Sequence, residues 1–412
     1  MDSPTLPELE EKARAQLFGH ILPFWTGPAV DHEQGGWLAW MDNDLRLDRT
    51  QAKGLVVNSR ILWTFSAVHR VQPVELYRQM AGRAFEFLTQ RFHDAVHGGA
   101  FWRLNGEGHV LEDTKKIYGQ AFYIYALAEY HHAFGERTAL EQARETFELV
   151  ERYAHDAQFG GYIEVCRRDW SPAADSRLSD KDMDEKKSMN NHLHLLEAYT
   201  NLYRVWPDPR VAERLRELLQ LFLDLILDAR TGHFHHFFDE QWKVRSDNYT
   251  FGHDIEGSWL LCEAAEVLGD APLLARAGRA ALRLAEVALA EGLQPDGGLC
   301  YEGQAERVTD AGREWWPQAE AVVGFLNAFQ LGGERRFLDA ASHAWNYIER
   351  YIVDHVHGDW YWRVYPDGQP DLRQPKVSEW KGPYHSARAC LETMQRAHDS
   401  AAAQAMKRKN RP

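Results

Sequence analysis

The chain has 412 residues, a formal net charge of -14 and a pI of about 5.8. This acidic balance argues against nucleic acid or an anionic membrane as the main partner, and no stretch approaches the roughly 18 apolar residues of a membrane helix. Four widely spaced cysteines form no C-x-x-C pair, which predicts neither a zinc site nor a dense disulfide framework. Because the segment from Met1 to Glu11 has no apolar core either, we expect a cytoplasmic protein with reduced thiols.

Aromatic residues are abundant, with 15 Trp, 16 Tyr and 19 Phe. Flat rings stack on the apolar faces of pyranoses while nearby polar groups bind the hydroxyls. The composition therefore favours a sugar-binding protein.

A short glycine signal recurs six times along the chain. It consists of one or two glycines, usually preceded by Asp four residues earlier and followed by aromatic residues, and is centred on Gly35, Gly98, Gly160, Gly232, Gly297 and Gly358. The spacings are 63, 62, 72, 65 and 61 residues, so the pattern predicts six structural repeats with one insertion. The insertion falls in residues 171–188, which we expect to be either a solvated surface loop or a lid over a site.

Two stretches with apolar residues at intervals of three and four lie between successive glycine signals, as in Asn58 to Val71 and Val74 to Phe92. This is the pattern of amphipathic helices, and each glycine element is then a short hairpin or loop between helix pairs. Six pairs make twelve helices. We predict an all-α (α/α)6 barrel, one catalytic domain over residues 1–412, with a disordered tail from Ala401 to Pro412; an open solenoid is the alternative.

Such a barrel has its site at one mouth, where the first helix of each pair begins. Those helices are expected to begin near Asn58, Tyr118, Asn190, His253, Trp316 and Pro383. The barrel brings these positions together, so polar groups at the six helix starts predict one site.

Several of these starts carry polar residues in apolar or aromatic surroundings. Arg60 lies in an apolar helix, where a guanidinium needs an anionic partner from the protein or from a ligand. His253 and Glu256, three residues apart, predict a histidine oriented by a carboxylate for proton transfer. The remaining candidates lie at matching positions of the other helices: Tyr118, Asn190, His194, Glu197, Trp316, Glu320, Trp380 and His385. Taken singly, each has a structural explanation, such as an ion pair for Arg60 or core packing for Trp316.

Two groups of histidines raise the question of a metal. His192 and His194 point about 200° apart on a helix and cannot chelate one ion. His233 and His235 could share one face of an extended connector, but no carboxylate or thiol with ligand spacing accompanies them. We expect no catalytic metal, and the chain has no Walker or dinucleotide glycine motif.

These residues resemble the N-acylglucosamine 2-epimerase superfamily, and within it the cellobiose 2-epimerases. The motifs that carry the resemblance are 58–65 (NSRILWTF), 187–199 (KSMNNHLHLLEAY), 251–256 (FGHDIE), 315–320 (WWPQAE) and 380–385 (WKGPYH). The resemblance extends from the first helix to about Arg396, and it independently implies the (α/α)6 barrel.

The resemblance implies inversion at C2 of the reducing-end glucose of a β-1,4-linked disaccharide, without a cofactor. Cellobiose would become 4-O-glucosyl-mannose through a cis-enediolate, and lactose or mannobiose would also react. The partner would be a small sugar, either a disaccharide or mannose or glucose, bound by a monomer or weak homo-oligomer.

The resemblance also implies roles for individual residues. His253 and His385 match the family's acid/base pair, Arg60 and His194 would stabilise the charge on O1, and Glu256 would orient His253. The substrate contacts would come from Tyr118, Asp182, Asn190, Glu256, Trp316, Glu320 and Trp380.

Three alternatives share this inventory of residues. Return of the proton to C1 instead of C2 makes an aldose–ketose isomerase, and a pocket for one sugar ring makes a mannose 2-epimerase. An inverting glycoside hydrolase would use Glu256 and Glu320 as its two carboxylates, which must then stand about 6.5 to 9.5 Å apart.

Overall fold

The computed structural model describes residues 5–180 and 182–409, except for the side chains of residues 401–409. Within that part of the chain, and counting each helix with the short turns that continue it, there are twelve helices. In chain order they are α1 (Leu6–Gln16), α2 (Leu55–Val71), α3 (Glu75–Phe87), α4 (Ile117–Phe134), α5 (Arg137–Tyr153), α6 (Met189–Val205), α7 (Pro209–Leu221), α8 (Phe251–Leu268), α9 (Ala271–Val287), α10 (Trp315–Gly332), α11 (Arg335–Tyr347) and α12 (Tyr384–Lys409).

The helices form two closed rings. Each even-numbered helix packs against the next even-numbered one, and α12 packs against α2, so the inner ring has no open end. Each odd-numbered helix covers an inner one, and the N-terminal helix α1 covers α12. This is the (α/α)6 barrel that the repeats predicted. The sixth pair joins the last inner helix to the first helix of the chain, so the two ends of the sequence close the barrel.

Inner and outer helices differ in how much of their surface is buried. In α4 every residue from Ile117 to Glu129 is buried, as expected for a helix enclosed on all sides. The outer helix α5 instead buries one stripe, formed by Ala139, Ala143, Phe147 and Val150. The spacing of four, four and three residues turns this stripe towards the inner ring and leaves the opposite face in solvent.

Most of the outer helices end in the same way. In the described part of the chain, five of the six continue into a five-residue π-helical turn, namely Leu17–Ile21, Leu88–Phe92, Phe222–Ile226, Ala288–Gly292 and Ile348–Ile352. A further helical turn, Leu22–Thr26, extends the first of them. These wider turns lead the chain into the hairpins that follow.

The six glycine signals are tight hairpins, which is the first of the two forms expected for them. An antiparallel bridge closes each of them, for example Val30 with Trp37 and His93 with Ala100. The central glycines have φ between 72° and 92°, a left-handed conformation that only glycine adopts readily. Substituting them would strain the backbone at every repeat boundary.

Short antiparallel strands link neighbouring repeats at the same end of the barrel. They are β1 (Lys53–Gly54), β2 (Arg103–Leu104), β3 (Val110–Glu112), β4 (Lys115–Lys116), β5 (Val165–Cys166), β6 (Lys187–Ser188), β7 (Phe237–Phe238), β8 (Asn248–Thr250), β9 (Glu302–Gln304), β10 (Arg307–Asp310), β11 (Arg313–Glu314) and β12 (Arg363–Val364). The strand before an inner helix pairs with the strand after the next hairpin, as in β1 with β2 and β6 with β7. These pairings hold the starts of the inner helices around one mouth.

A buried ion pair explains the aspartate of the glycine signal. Asp31 accepts from Lys53 Nζ at 2.8 Å, and its other oxygen receives backbone N–H groups of the hairpin. Equivalent pairs join a lysine before an inner helix to the hairpin aspartate, at 3.1 Å for Lys115–Asp94, 2.7 Å for Lys187–Asp156 and 2.6 Å for Lys376–Asp354. Each pair fixes a hairpin to the start of an inner helix.

The backbone of the last helix continues to Lys409. Residues 410–412 and the side chains of residues 401–409 lie outside what the structure describes, so the disorder expected for residues 401–412 stays a prediction. In the described residues, no helix is both long and apolar enough to cross a bilayer.

Candidate active site

The candidate catalytic residues predicted from sequence lie together at the mouth formed by the inner helix starts. The pKa of His253 lies well below the usual value, mainly because the ring is buried. The nearby positive or ionisable groups lower it further, and they are His236, His194, His385 and Arg60. Trp316 lies between two of the histidines, with its ring centroid 4.8 Å from that of His253 and 5.7 Å from that of His385. The barrel therefore assembles one site from residues far apart in sequence.

Arg60 is a buried guanidinium without a carboxylate partner. It is 6% exposed, its Nη2 donates to the Tyr118 hydroxyl at 3.1 Å, and its Nε has no hydrogen-bond partner. Its planar group lies over the rings of Phe122 and Tyr384, at 4.3 and 5.1 Å from their centroids. Among the described residues no acidic group forms an ion pair with Arg60. The structural explanation by an ion pair is therefore wrong, and the positive charge remains available to a ligand.

His194 is oriented by a carboxylate on its own helix. Its Nδ1 lies 2.8 Å from Glu197 Oε2, and its ring meets Tyr118 edge-on at 5.0 Å. Burial, followed by the charges of Arg60 and Arg388, holds the pKa of His194 well below the usual value, so the ring is neutral. With Nδ1 engaged, Nε2 is the nitrogen left for a ligand.

His385 is oriented in the same way by a residue from a different helix. Its Nδ1 lies 2.7 Å from Glu320 Oε1, and the other oxygen of Glu320 accepts from Trp259 Nε1 at 3.0 Å. Burial lowers the pKa of His385 to about 3. A neutral ring that donates from Nδ1 to a carboxylate carries a lone pair on Nε2, which is the form a general base requires.

One residue that the sequence analysis missed organises this region. Arg388 is 1% exposed and binds three carboxylates: Nη1 donates to Glu197, and Nη2 donates to Glu256 and, at 2.7 Å, to Glu320. Two of these carboxylates hold His194 and His385. The signal was present in the sequence, because Arg388 is an arginine in a buried helix, as Arg60 is, and lies three residues after His385.

The predicted pairing of Glu256 with His253 is wrong. Glu256 binds Arg388, and the Nδ1 of His253 instead lies 2.5 Å from the hydroxyl of Thr250, the residue before α8. Glu256 is 1% exposed, and its carboxylate faces the guanidinium of Arg388. A hydroxyl can donate or accept, so Thr250 can follow either tautomer of His253.

Glu256 and Glu320 are also poorly placed for the sugar contacts expected of them. Both oxygens of Glu320 are occupied by protein groups, and the residue is fully buried. Burial, and next the charge of Glu320, raises the pKa of Glu256. We therefore regard the two carboxylates as positioning residues behind the histidines.

Aromatic rings and an amide line the rest of the mouth. The half-buried Trp380 lies 5.9 Å from Trp102 and 6.4 Å from Tyr118, measured between ring centroids. The Oδ1 atom of Asn190 is buried and has no hydrogen-bond partner in the protein. Burial raises the pKa of Tyr118 to about 12, so its hydroxyl stays protonated. Contacts from Trp380, Tyr118 and Asn190 to a sugar remain predictions that this arrangement allows.

The inserted segment 171–188 contacts the residue before the start of α4, beside this mouth. Lys116 Nζ donates to the carbonyl of Leu178 at 2.9 Å. Asp182 accepts from the backbone N–H and the hydroxyl of Ser179 at 2.8 and 2.7 Å, so this carboxylate closes a turn inside the segment. The proposed contact of Asp182 with sugar stays a prediction, as does the movement of the segment as a lid.

The carboxylates are too close for the hydrolase alternative. Oxygen atoms of Glu256 and Glu320 lie within 4.8 Å of each other and of a His385 nitrogen, and both carboxylates bind the same nitrogen of Arg388. An inverting hydrolase needs about 6.5 to 9.5 Å between its carboxyl groups to admit a water molecule. The same three residues have ligand atoms typical of a metal site, but the guanidinium already supplies the cation between them.

Comparison with known proteins agrees with this geometry. The family model for N-acylglucosamine 2-epimerase (GlcNAc 2-epimerase) matches residues 36–389. The chain belongs to this family. The matched region contains each of the motifs 58–65, 187–199, 251–256, 315–320 and 380–385 on which the sequence resemblance rests.

Several relatives cover nearly the whole chain. Cellobiose 2-epimerase of Bacteroides fragilis is 42% identical over 387 residues, which is 94% of this chain and 98% of the relative. The structure of cellobiose 2-epimerase from Bacillus thermoamylovorans matches with a TM-score of 0.91 at 36% identity, covering 95% of this chain and 100% of that one. The structure of cellobiose 2-epimerase from Spirochaeta thermophila matches with a TM-score of 0.88 at 40% identity, over 97% and 98% of the two chains.

Proposed function

We propose that this protein inverts the configuration at C2 of the reducing-end glucose of cellobiose, and of related β-1,4-linked disaccharides such as lactose and mannobiose. The reaction removes the proton at C2 of the open-chain sugar and returns a proton to the opposite face of a cis-enediolate. The observation that carries the proposal is the buried Arg60, which has no carboxylate partner and lies within electrostatic range of three neutral histidines.

Arg60 meets the main energetic demand of this chemistry. Removing the C2 proton places negative charge on O1 of the enediolate, and a preorganised cation in a site of low dielectric stabilises such charge strongly. The Nε–H of Arg60 is unpartnered, and Nη2 is bound only to a neutral hydroxyl, that of Tyr118. The ring of His194 meets the same tyrosine edge-on. Burial raises the pKa of Glu197, so its protonated carboxyl can donate to Nδ1 of His194 and leave an Nε2–H that would donate to O1.

His385 serves as the base that removes the C2 proton. Its Nδ1–H is held by Glu320, so Nε2 carries the lone pair, and the carboxylate stabilises the imidazolium that forms. Arg388 keeps Glu320 ionised, since its charge lowers the pKa of that carboxyl against the effect of burial. The pair of His385 and Glu320 therefore accepts a proton without moving.

His253 returns the proton on the other face of the enediolate. Thr250 can donate to Nδ1 of His253, which leaves the proton on Nε2, or accept from Nδ1, which frees the lone pair. His253 can thus act as acid in one direction and as base in the other, as a reversible epimerisation requires. Trp316 lies between His253 and His385 and would stack on the sugar ring.

The preference for a disaccharide is supported by the relatives and by the mouth. The relatives at 34% to 42% identity over most of the chain are named cellobiose 2-epimerase. The half-buried Trp380 and its neighbour Trp102 form an aromatic surface that would suit a second pyranose ring. A mannose 2-epimerase would need only the inner part of this mouth.

We propose further that the enzyme works in the cytoplasm as a monomer or weak homo-oligomer. All four cysteines are buried free thiols, which suits a reducing compartment. The charge of -14 is unfavourable for binding nucleic acid or an anionic membrane.

Incubation with cellobiose, lactose and mannose tests the proposed reaction. We expect cellobiose and lactose to give new disaccharides with mannose at the reducing end, resolved by chromatography, and mannose to react more slowly. A ketose product would indicate an isomerase, and released glucose would indicate a hydrolase. The His385→Ala variant is the inactive control and should leave cellobiose unchanged. The proposal fails if the wild-type protein also leaves cellobiose unchanged.

A further inference from the structure

We propose that a second sugar site lies at the end of the barrel opposite the histidines. A cavity of about 320 Å³, here called the axial cavity, is lined there by residues from five of the six inner helices: α2, α4, α6, α8 and α12. We infer that it binds a neutral monosaccharide-sized pyranoside, at a place separate from the catalytic mouth. Its volume lies at the lower limit of small-molecule pockets.

The axial cavity has a buried floor and an exposed rim. Trp63, Tyr125, Asn201 and Arg388 form part of the floor and are all less than 9% exposed. The rim includes Val71, which is 50% exposed. A cavity that narrows from an open rim to a buried floor excludes water from a bound ligand, which strengthens each hydrogen bond to it.

An aromatic wall supplies the apolar contact that a pyranose needs. The rings of Trp63 and Tyr125 are stacked, with centroids 5.5 Å apart and an interplanar angle of 12°. Trp259 adds a third ring to the lining. Such surfaces bind the C–H faces of sugar rings, while hydroxyl groups turn towards polar side chains.

The charged side chains around the axial cavity already form ion pairs within the protein. The cavity therefore favours a neutral ligand. Arg70 binds Glu129 at 2.7 Å, and Arg204 binds Glu263 at 2.8 Å. Glu392 is paired with Arg396, at 3.3 Å. A charged ligand would leave one of these groups without its counter-ion, whereas hydroxyl groups can donate to the carboxylates and accept from the guanidinium groups without breaking the pairs.

The floor also offers a hydrogen bond that the protein does not use. Nε of Arg388 is buried and has no partner in the protein, although Nη1 and Nη2 are bound to carboxylates of the catalytic end. A buried donor without an acceptor costs about 1–3 kcal/mol, so a ligand hydroxyl that accepts from Nε gains binding energy. Arg388 would then contact both sites.

Calorimetric titration with methyl α-D-glucopyranoside tests this site. The probe cannot open its ring and so cannot be epimerised, and the titration needs no turnover, so it remains valid even if the proposed reaction fails. Val71→Trp fills the rim of the axial cavity from an exposed position. Leu331→Trp is the matched control, because Leu331 is 40% exposed near the end of another inner helix and does not line the cavity.

We expect the wild type and Leu331→Trp to bind the probe alike and Val71→Trp to bind it at least tenfold more weakly with an unchanged Tm. If Val71→Trp lowers the Tm, Gln395→Trp on the exposed rim of α12 takes its place. The inference is overturned if the wild type does not bind the probe. It is equally overturned if the rim variant and the control bind it alike, because binding then occurs at the catalytic mouth.

Discussion

Arg388 is the residue whose loss should affect the protein most. Replacing it by methionine keeps much of the side-chain volume and removes the guanidinium that binds Glu197, Glu256 and Glu320. All four side chains are 0% to 1% exposed, so the three carboxylates have little access to water in place of the lost donors. Removing one partner of a buried ion pair costs about 3–5 kcal/mol.

The cost should stay near that range although three carboxylates lose a partner. Burial already raises the pKa values of Glu197 and Glu256, so these two can take up protons instead of remaining charged. Glu320 is different, since Arg388 is the main group that lowers its pKa against the effect of burial. Without Arg388 the pKa of Glu320 in the folded protein rises. As the pH falls, Glu320 becomes protonated in the variant, so the difference in free energy of unfolding between variant and wild type should shrink.

Urea unfolding followed by circular dichroism measures this cost. We expect Arg388→Met to lower the free energy of unfolding by about 3–5 kcal/mol at pH 7 and by less at pH 5. Arg336→Met is the matched control, because Arg336 also binds carboxylates, two of them at 2.9 Å, but is 47% exposed; its loss should lower the free energy of unfolding far less than the loss of Arg388. Equal costs for the two variants would refute the role given to Arg388.

Three more predictions follow from the site. His253→Ala and His385→Ala should each abolish epimerisation and keep the circular dichroism spectrum; substantial turnover by either would refute the two-histidine mechanism. Arg60→Met should lower kcat about 100-fold and change KM by less than about threefold, because the charge appears only in the enediolate; a change confined to KM would contradict this. Burial lowers the pKa values of His192 and His236 to about 4 and that of His385 to about 3. As the pH falls below about 6.5, these histidines take up protons in the unfolded chain but not in the folded protein. Each of them should therefore lower the free energy of unfolding by about 2 kcal/mol at pH 5. A stability flat between pH 7 and 5 in urea titrations would show that these rings are not buried in neutral form.

The barrel could be predicted because each repeat needs particular residues at particular positions of its own sequence. Each hairpin needs a glycine with positive φ, as at Gly98 and Gly160, and each inner helix needs apolar residues on all sides. Both requirements appear in the sequence at a regular period. The closing of the sixth pair by α1 depends instead on the meeting of the two chain ends, which no local pattern encodes.

Two identical spacings show where sequence reasoning about the site stops. His194 and Glu197 are three residues apart on α6 and form a hydrogen bond. His253 and Glu256 are three residues apart on α8, yet Glu256 binds Arg388 on α12. Spacing determines which side chains share a helix face, but the choice of partner depends on charges from other helices. The involvement of Thr250 was missed for the same reason.

Solvent deuterium exchange tests the central claim most directly. With cellobiose in D₂O, we predict that the epimerised product carries deuterium at C2, because the base removes the original proton and the second histidine delivers one that has exchanged with solvent. Mass spectrometry and ¹H NMR measure this label. Product that retains its original C2 proton through complete turnover would contradict proton abstraction by His385 and return by His253.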